Sequence, residues 1–233
     1  MDPRQLTVDD RLKGFCVYCG GPPETRDHVP SRVLLDDPLP DDLPVVDACT
    51  ACNRGFSLDE EYLACFIECV LAGSTDPTRL RREKIECLLS QEDRLATRIE
   101  ASARVDDQGA LMWKPESERV RNVVVKLGRG HAAYELSLPQ LDDPQMVMVS
   151  PLVLLSEGDR QTFENAGSGE FREWPEINSR AFLRAVGADP YGDQAGPWIV
   201  VQPGRYRYSV GQYGGVRAQM VLSEYLACVV EWD

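Results

Sequence analysis

Two closely spaced cysteine pairs constrain this chain more than any other feature. Cys16 and Cys19 enclose two residues, Cys49 and Cys52 enclose two more, and residues 20–48 separate the pairs. Two such pairs in a short, turn-rich segment can wrap around one ion and present four thiolates to it in a tetrahedron. The spacing therefore predicts a structural zinc site, with iron as the main alternative metal.

The composition of the first 56 residues also favours a unit that is held together by metal. This segment is rich in Pro, Gly, Asp and Cys and has little periodic apolar pattern, which is typical of a small loop-rich module. The N-terminus lacks the basic region and apolar run of a secretion signal. We therefore expect a cytoplasmic protein whose eight cysteines are reduced or bound to metal rather than paired in disulfides.

Charge and hydropathy argue against two classes of partner. The formal net charge is −13, and residues 1–60 contain twelve acidic but only six basic side chains. Nucleic-acid binders usually carry a basic face, so a nuclease here needs bound metal, a local arginine cluster or a partner protein. The longest apolar stretches, residues 61–72 and 146–155, are shorter than the roughly 20 residues of a membrane-spanning helix. We therefore expect no membrane association.

The sequence around the cysteine pairs matches a known order of motifs. Residues 25–31 read TRDHVPS between the pairs, and residues 49–57 read CTACNRGFS. CxxC, then Asp-His with a nearby proline, then CxxC followed by Asn resembles the zinc-bearing form of the HNH endonuclease family. The resemblance implies a treble-clef module, in which a β-hairpin and a helix surround a divalent metal. It also implies that this helix begins near Cys49 or Asn53.

The resemblance implies roles for six side chains. Hydrolysis of a phosphodiester requires a base for the attacking water and positive charge near the phosphate. His28, with an unperturbed pKa of about 6.5, is the expected general base. Asp27 and the side-chain carbonyl of Asn53 are the expected oxygen ligands of a catalytic Mg²⁺ or Mn²⁺. Because neighbours on a regular strand point apart, we expect a turn or bulge at Asp27 or His28. The expected phosphate-binding residues are Arg26, Arg32 and Arg54.

The rest of the sequence predicts an α+β fold with a helical middle. Ser57 and Glu60 form a capping box that predicts a helix ending at Gly73, and further helices are expected over residues 77–102 and 116–134. A C-terminal antiparallel sheet is expected from residues 146–155, 198–210 and 216–232, with a Pro-Gly turn at 203 and 204 and a helix at 177–186. The predicted domains are an HNH-like zinc module with its following helix (1–73), a helical connector (74–109) and an α+β domain of unknown role (110–233).

Other reactive side chains are expected to be structural. His131 lies in an apolar helical pattern, and Cys65 and Cys69 lie in another, where free cysteine behaves as a small hydrophobic residue. A group of arginines and tyrosines near the C-terminus is expected to form an ordinary exposed sheet face. A second interpretation is that this group stacks on bases and binds phosphates. The members of the group are Arg205, Tyr206, Arg207, Tyr208, Tyr213 and Arg217.

The sequence leaves two functions open. The first is a metal-dependent HNH-type endonuclease that hydrolyses nucleic acid, with DNA as the first expectation and His28 as the base. The second is a non-catalytic zinc-binding module with a degenerate HNH site, which presents its acidic surface to a protein partner. The nuclease predicts turnover, whereas the binding module predicts a stable zinc protein without turnover.

Overall fold

The computed structural model describes residues 14–41, 43–105, 107, 109, 111–165, 186, 198–212 and 214–233. Within these residues the chain forms five α-helices and nine β-strands, so the predicted mixture of helix and sheet is confirmed. No helix in the described ranges combines the length and the apolar character needed to cross a membrane. The helix predicted over residues 177–186 lies outside the described residues, apart from Val186.

The chain divides into two compact units. The first unit joins Met1–Phe56 to Val124–Asp233, and the second unit is Ser57–Val123. The first unit therefore combines the two ends of the chain, which a linear division at residues 73 and 109 does not do. The divisions fall within two long helices, each of which begins in one unit and continues into the other.

The first unit begins with a hairpin and a helix around the cysteine pairs. Strand β1 (Thr25–His28) runs antiparallel to strand β2 (Val45–Ala48), with Thr25 opposite Ala48 and His28 opposite Val45. Helix α1 (Thr50–Ala72) follows β2 almost at once. The start of α1 at Thr50 agrees with the start near Cys49 or Asn53 that the family resemblance implies. The helix start predicted from the capping box at Ser57 is wrong.

Two groups explain why α1 begins at Thr50. The Sγ of Cys49 accepts a hydrogen bond from the backbone N–H of Cys52 at 3.3 Å, as a capping side chain does. The carboxylate of Glu24 accepts a hydrogen bond from the N–H of Thr50 at 3.0 Å and adds negative charge at the helix N-terminus. Both groups satisfy N–H donors that the first turn leaves without helical partners. The cap is thus built by a cysteine rather than by Ser57.

The second unit contains most of α1 and several shorter elements. The helix predicted over residues 77–102 is interrupted at Glu92, whose φ of −119° and ψ of 67° are not helical. No glycine or proline marks this break in the sequence. The elements after α1 include the 3-10 helix Pro77–Arg79, α2 (Glu83–Gln91), α3 (Asp93–Glu100) and a small hairpin of β3 (Ala103–Val105) and β4 (Leu111–Trp113).

A long helix and a five-stranded antiparallel sheet complete the first unit. Helix α4 (Ser117–Leu136) lies close to its predicted range, and its residues from Val124 onward belong to this unit. The strand order of the sheet is β5-β9-β8-β7-β6, so the last strand of the chain is an inner strand. The strands of the sheet are β5 (Met146–Pro151), β6 (Ile199–Gln202), β7 (Tyr206–Gln212), β8 (Val216–Leu222) and β9 (Leu226–Trp232), and helix α5 (Glu157–Glu164) lies between β5 and β6 in the chain.

Strand β7 shows which side of the sheet is covered. Tyr206 and Tyr208 are fully buried, and His131 of α4 packs against them. The ring of His131 stacks on that of Tyr208 with centroids 3.7 Å apart, and its Nε2 lies 2.8 Å from the hydroxyl of Tyr206. These two tyrosines therefore cannot belong to a surface on which bases stack, and Tyr213 lies outside the described residues. His131 is a core residue, in agreement with the prediction.

Candidate functional site

The four cysteines of the two pairs form one cluster. Their Sγ atoms all lie within 4.8 Å of one another, and those of Cys19 and Cys49 are 3.8 Å apart. A tetrahedron with zinc–sulfur bonds of about 2.3 Å has sulfur–sulfur edges of about 3.8 Å. All four side chains are free thiols rather than disulfides. The arrangement therefore fits a metal ion such as zinc.

Short backbone hydrogen bonds form the turn at the first cysteine pair. The N–H of Cys16 donates to the carbonyl of Gly21 at 2.6 Å, and the N–H of Gly20 donates to the carbonyl of Cys16 at 2.8 Å. Gly20 has a φ of +75°, a conformation that glycine adopts at little cost. The turn brings both thiols to the same side of the loop.

The second pair is prepared for metal binding by the cap of α1. The hydrogen bond from the N–H of Cys52 lowers the pKa of Cys49 to about 7, because it stabilises the thiolate. Burial raises the pKa of Cys52 by disfavouring its charged form. A metal ion must therefore displace the proton of Cys52, whereas Cys49 is already partly ionised near neutral pH.

The cysteine cluster is supported by a small apolar core within the first unit. Val17, Tyr18, Val29 and Val46 are buried beside Cys16, and the partly buried ring of Phe56 packs against them. Helix α4 adds Ala133 and Tyr134 to the same core. The cysteine cluster therefore does not stand alone, because part of the core beside it comes from a distant segment of the chain.

His28 and Asp27 occupy consecutive positions on an unbroken strand. Asp27 pairs with Val46 and His28 with Val45 in a continuous antiparallel register, so β1 contains no bulge there. Their side chains therefore point to opposite faces of the hairpin. His28 is half-buried and shares its face with Arg26, which is exposed. The turn or bulge expected at these two residues is absent within β1.

Asn53 connects α1 to strand β1. Its Nδ2 donates to Oγ1 of Thr25 at 3.1 Å and to the backbone carbonyl of Arg26 at 3.2 Å. These contacts lie directly before Asp27 and His28 in the strand. The structure thus brings Asn53 to the same strand as the two other predicted site residues.

Asp27 lies in a buried ion pair. Its Oδ2 is 2.7 Å from the Nζ of Lys126 on α4 and accepts a hydrogen bond from the hydroxyl of Tyr18 at 2.7 Å. The Asp27 side chain is 10% exposed and that of Lys126 only 1%. Neither Tyr18 nor Lys126 was expected to contact the site. The only signal for Lys126 in the sequence is its position as one charge inside the apolar run of residues 123–127.

The predicted oxygen ligands do not fit a hydrated divalent ion in this arrangement. Mg²⁺ usually retains several water molecules and requires nearly octahedral ligands. Asp27 is almost enclosed, and an ammonium group and a hydroxyl already contact its Oδ2. Asn53 uses its amide nitrogen to hold β1. The Mg²⁺ or Mn²⁺ site at Asp27 and Asn53 stays a prediction.

The three predicted phosphate-binding residues are exposed. Arg26 follows Thr25 in β1, Arg32 begins the short 3-10 helix Arg32–Leu34, and Arg54 lies in the second turn of α1. Arg26 forms a long ion pair of 4.0 Å with Asp47.

Comparisons of this chain with known proteins found no relative. No family profile, no curated protein and no solved structure matches the chain. Assignment of the site therefore depends on three features of this chain. They are the tetrathiol cluster, the half-buried His28 and the hydrogen bonds that connect helix α1 to strand β1.

Proposed function

We propose that the N-terminal part of the first unit is an HNH-type, treble-clef nuclease module that hydrolyses phosphodiester bonds of nucleic acid. One observation carries the proposal: an antiparallel hairpin and a helix meet at a tetrathiol cluster, and Asn53 of the helix is bonded to the strand that ends with His28. These elements follow one another in the order that the HNH motif implies. Zinc at the four thiols has a structural role in this proposal.

His28 is the proposed general base. Its imidazole accepts a proton from a water molecule while the water oxygen bonds to phosphorus. The bond from phosphorus to the leaving oxygen breaks, and that oxygen takes a proton from solvent. His28 is half-buried, so part of this residue is exposed to solvent.

The exposed arginines are the proposed phosphate ligands. Arg26 shares a strand face with His28, so both side chains extend towards the same side of the hairpin. A guanidinium group can hold two phosphate oxygens at once and offset the charge that develops on them. This local positive charge matters because the whole chain carries a net charge of −13.

A second function is favoured by a separate observation. The carboxylate of Asp27, which an HNH nuclease would use for a metal ion, is buried against Lys126 and Tyr18. A zinc module that had lost catalysis could keep the motif for its structural contacts alone. The alternative proposal is therefore a non-catalytic module with a degenerate HNH site that binds a protein partner.

Cleavage assays separate the two proposals. Zinc-loaded protein is incubated with plasmid DNA, single-stranded DNA and RNA, each with Mg²⁺, with Mn²⁺ and without added divalent ions. The nuclease proposal expects products from at least one substrate and loss of cleavage in His28→Ala, with zinc content and melting temperature retained. Arg121→Ala provides a matched control, because Arg121 lies in the second unit, outside the proposed module.

The outcomes that contradict the nuclease proposal are distinct. Equal cleavage by the wild type and by His28→Ala would assign the activity to a contaminant. Absence of cleavage under every condition, by protein that holds one zinc per chain, would favour the binding module.

A further inference from the structure

A lysine is buried directly behind the strand that carries His28. The side chain of Lys126 is 1% exposed, and its Nζ lies 2.7 Å from Oδ2 of Asp27. The same Nζ donates a hydrogen bond to Oγ of Ser31 at 2.8 Å. Lysine is almost never fully buried unless its charge is paired. The two contacts are therefore specific, and both are made to the segment 27–31.

This ammonium group contacts one of the two carboxylate oxygens with which Asp27 would bind a metal ion. Both Lys126 and Tyr18 contact Oδ2 of Asp27, each at 2.7 Å. A divalent ion bound to this oxygen would lie within a few ångströms of the ammonium, and two positive charges at such a distance in a buried site repel strongly. Lys126 and a divalent ion therefore exclude each other at Asp27.

Helix α4 makes a second contact with the same segment. A Cβ on Gly130 would lie 2.6 Å from Cγ2 of Val29, so the helix backbone approaches Val29 more closely than any other residue type allows. Lys126 holds Asp27 and Ser31, and Gly130 lies one helical turn further along, against Val29. Together they fix the segment on both sides of His28.

We propose that Lys126 is a built-in cation that replaces a divalent metal at Asp27 and positions the segment bearing His28. Lys126 is a positioning residue, because its buried side chain cannot reach a substrate. The inference rests on the proposed function only for the role of His28. It predicts that zinc is the sole metal that the module requires and that no Mg²⁺ or Mn²⁺ binds at Asp27.

Counting bound Mn²⁺ by electron paramagnetic resonance tests the inference on zinc-loaded, full-length protein. The chain has 38 acidic residues, so weak surface binding is removed by comparison with Asp27→Asn. The expected result is the same number of bound Mn²⁺ ions per chain in both proteins. One more Mn²⁺ in the wild type than in Asp27→Asn would overturn the inference.

Removal of the ammonium provides the complementary measurement. Lys126→Met keeps an unbranched side chain that is one atom shorter, and it leaves the carboxylate of Asp27 without its cation. We expect Lys126→Met to bind one more Mn²⁺ than the double variant Asp27→Asn/Lys126→Met. Equal Mn²⁺ counts in these two variants would show that Lys126 does not exclude the ion and would also overturn the inference.

A measurement on the unaltered protein covers the case in which these variants do not fold. Mn²⁺ bound at Asp27 broadens the backbone amide signals of residues 27 and 28 in a nuclear magnetic resonance spectrum. We expect these signals to persist at substoichiometric Mn²⁺, and their selective loss would contradict the inference. None of these results depends on cleavage, so an inactive protein would overturn the proposed function while leaving Lys126 tested.

Discussion

Single side chains link the hairpin, the cysteine cluster and the helices of the first unit. Asn53 is the clearest case, because its amide group bonds to both a side chain and a backbone carbonyl of β1. The motif predicted Asn53 as a site residue, but as a metal ligand. In the structure, the Asn53 side chain connects helix α1 to strand β1 by hydrogen bonds, a role that does not depend on catalysis.

Replacing Asn53 with alanine is expected to destabilise the protein. Two hydrogen bonds are lost, each contributing on the order of 1 kcal/mol, and the higher helix propensity of alanine offsets a part. We therefore expect a net loss of about 1 kcal/mol in the free energy of unfolding, measured by urea denaturation. Arg54→Ala, at an exposed neighbouring position, is the control and should change stability by less than about 0.5 kcal/mol. Equal effects of the two variants would contradict this role.

At the scale of elements, helix α4 decides the surroundings of the candidate site. It contributes Lys126 to the ion pair, Gly130 to the contact with Val29 and two residues to the core beside the cysteines. The helical pattern of residues 116–134 predicted α4 well, since its apolar period is local. The pattern could not show which strand the helix would contact, because that contact joins distant parts of the chain.

Gly130→Ala tests the close packing of α4 on the segment after β1. The new Cβ would lie 2.6 Å and 2.9 Å from the two methyl carbons of Val29, so Val29 must move. Overpacking of this kind costs about 1–3 kcal/mol, and the melting temperature should fall. Gly55→Ala in α1 has no atom within 4 Å of its Cβ and should be neutral or stabilising by up to about 1 kcal/mol. Restoration of stability by Val29→Ala in the Gly130→Ala background would identify the clash as the cause.

The two cysteine pairs provide the second stability prediction at this scale. Cys52→Ser removes one of four ligands, and structural zinc contributes about 10 kcal/mol or more to small modules of this kind. We expect loss of bound zinc, measured by mass spectrometry of the metal, and loss of the folded hairpin, measured by amide hydrogen exchange. Cys87→Ser is the matched control, because Cys87 is exposed and lies outside the cluster. Zinc content and exchange rates equal to those of the wild type in Cys52→Ser would refute the tetrathiol site.

At the scale of the whole molecule, the chain's two ends belong to one unit. Residues up to Phe56 join those from Val124 onward, and the inner strand β9 lies near the C-terminus. The sequence predicted strands here, but it did not resolve β8 and β9, because the turn between them is Ser223-Glu224. Both turn residues have positive φ, of 53° and 47°, a conformation that usually indicates Asn or Gly. The sequence of this turn therefore did not predict the hairpin of β8 and β9.

Truncation before β9 tests the unity of this fold. Ending the chain at Tyr225 removes a strand that pairs with β5 on one side and with β8 on the other. We expect the truncated protein to lose the cooperative thermal transition of the first unit, followed by circular dichroism. Removal of Asp233 alone leaves every strand intact and should preserve the transition. A truncated protein that melts like the wild type would show that the sheet is not required for the fold of this unit.

The sequence by itself determined the features that depend on local spacing. Four cysteines in two CxxC pairs were sufficient to predict their cluster, because each knuckle is a short turn and one ion needs four ligands. Only the tertiary structure decided the environment of Asp27. Lys126 reaches Asp27 because α4 packs against β1, and no pattern of nearby residues encodes a contact between segments so far apart in the chain. For the same reason, the sequence did not predict the buried ion pair between Asp27 and Lys126.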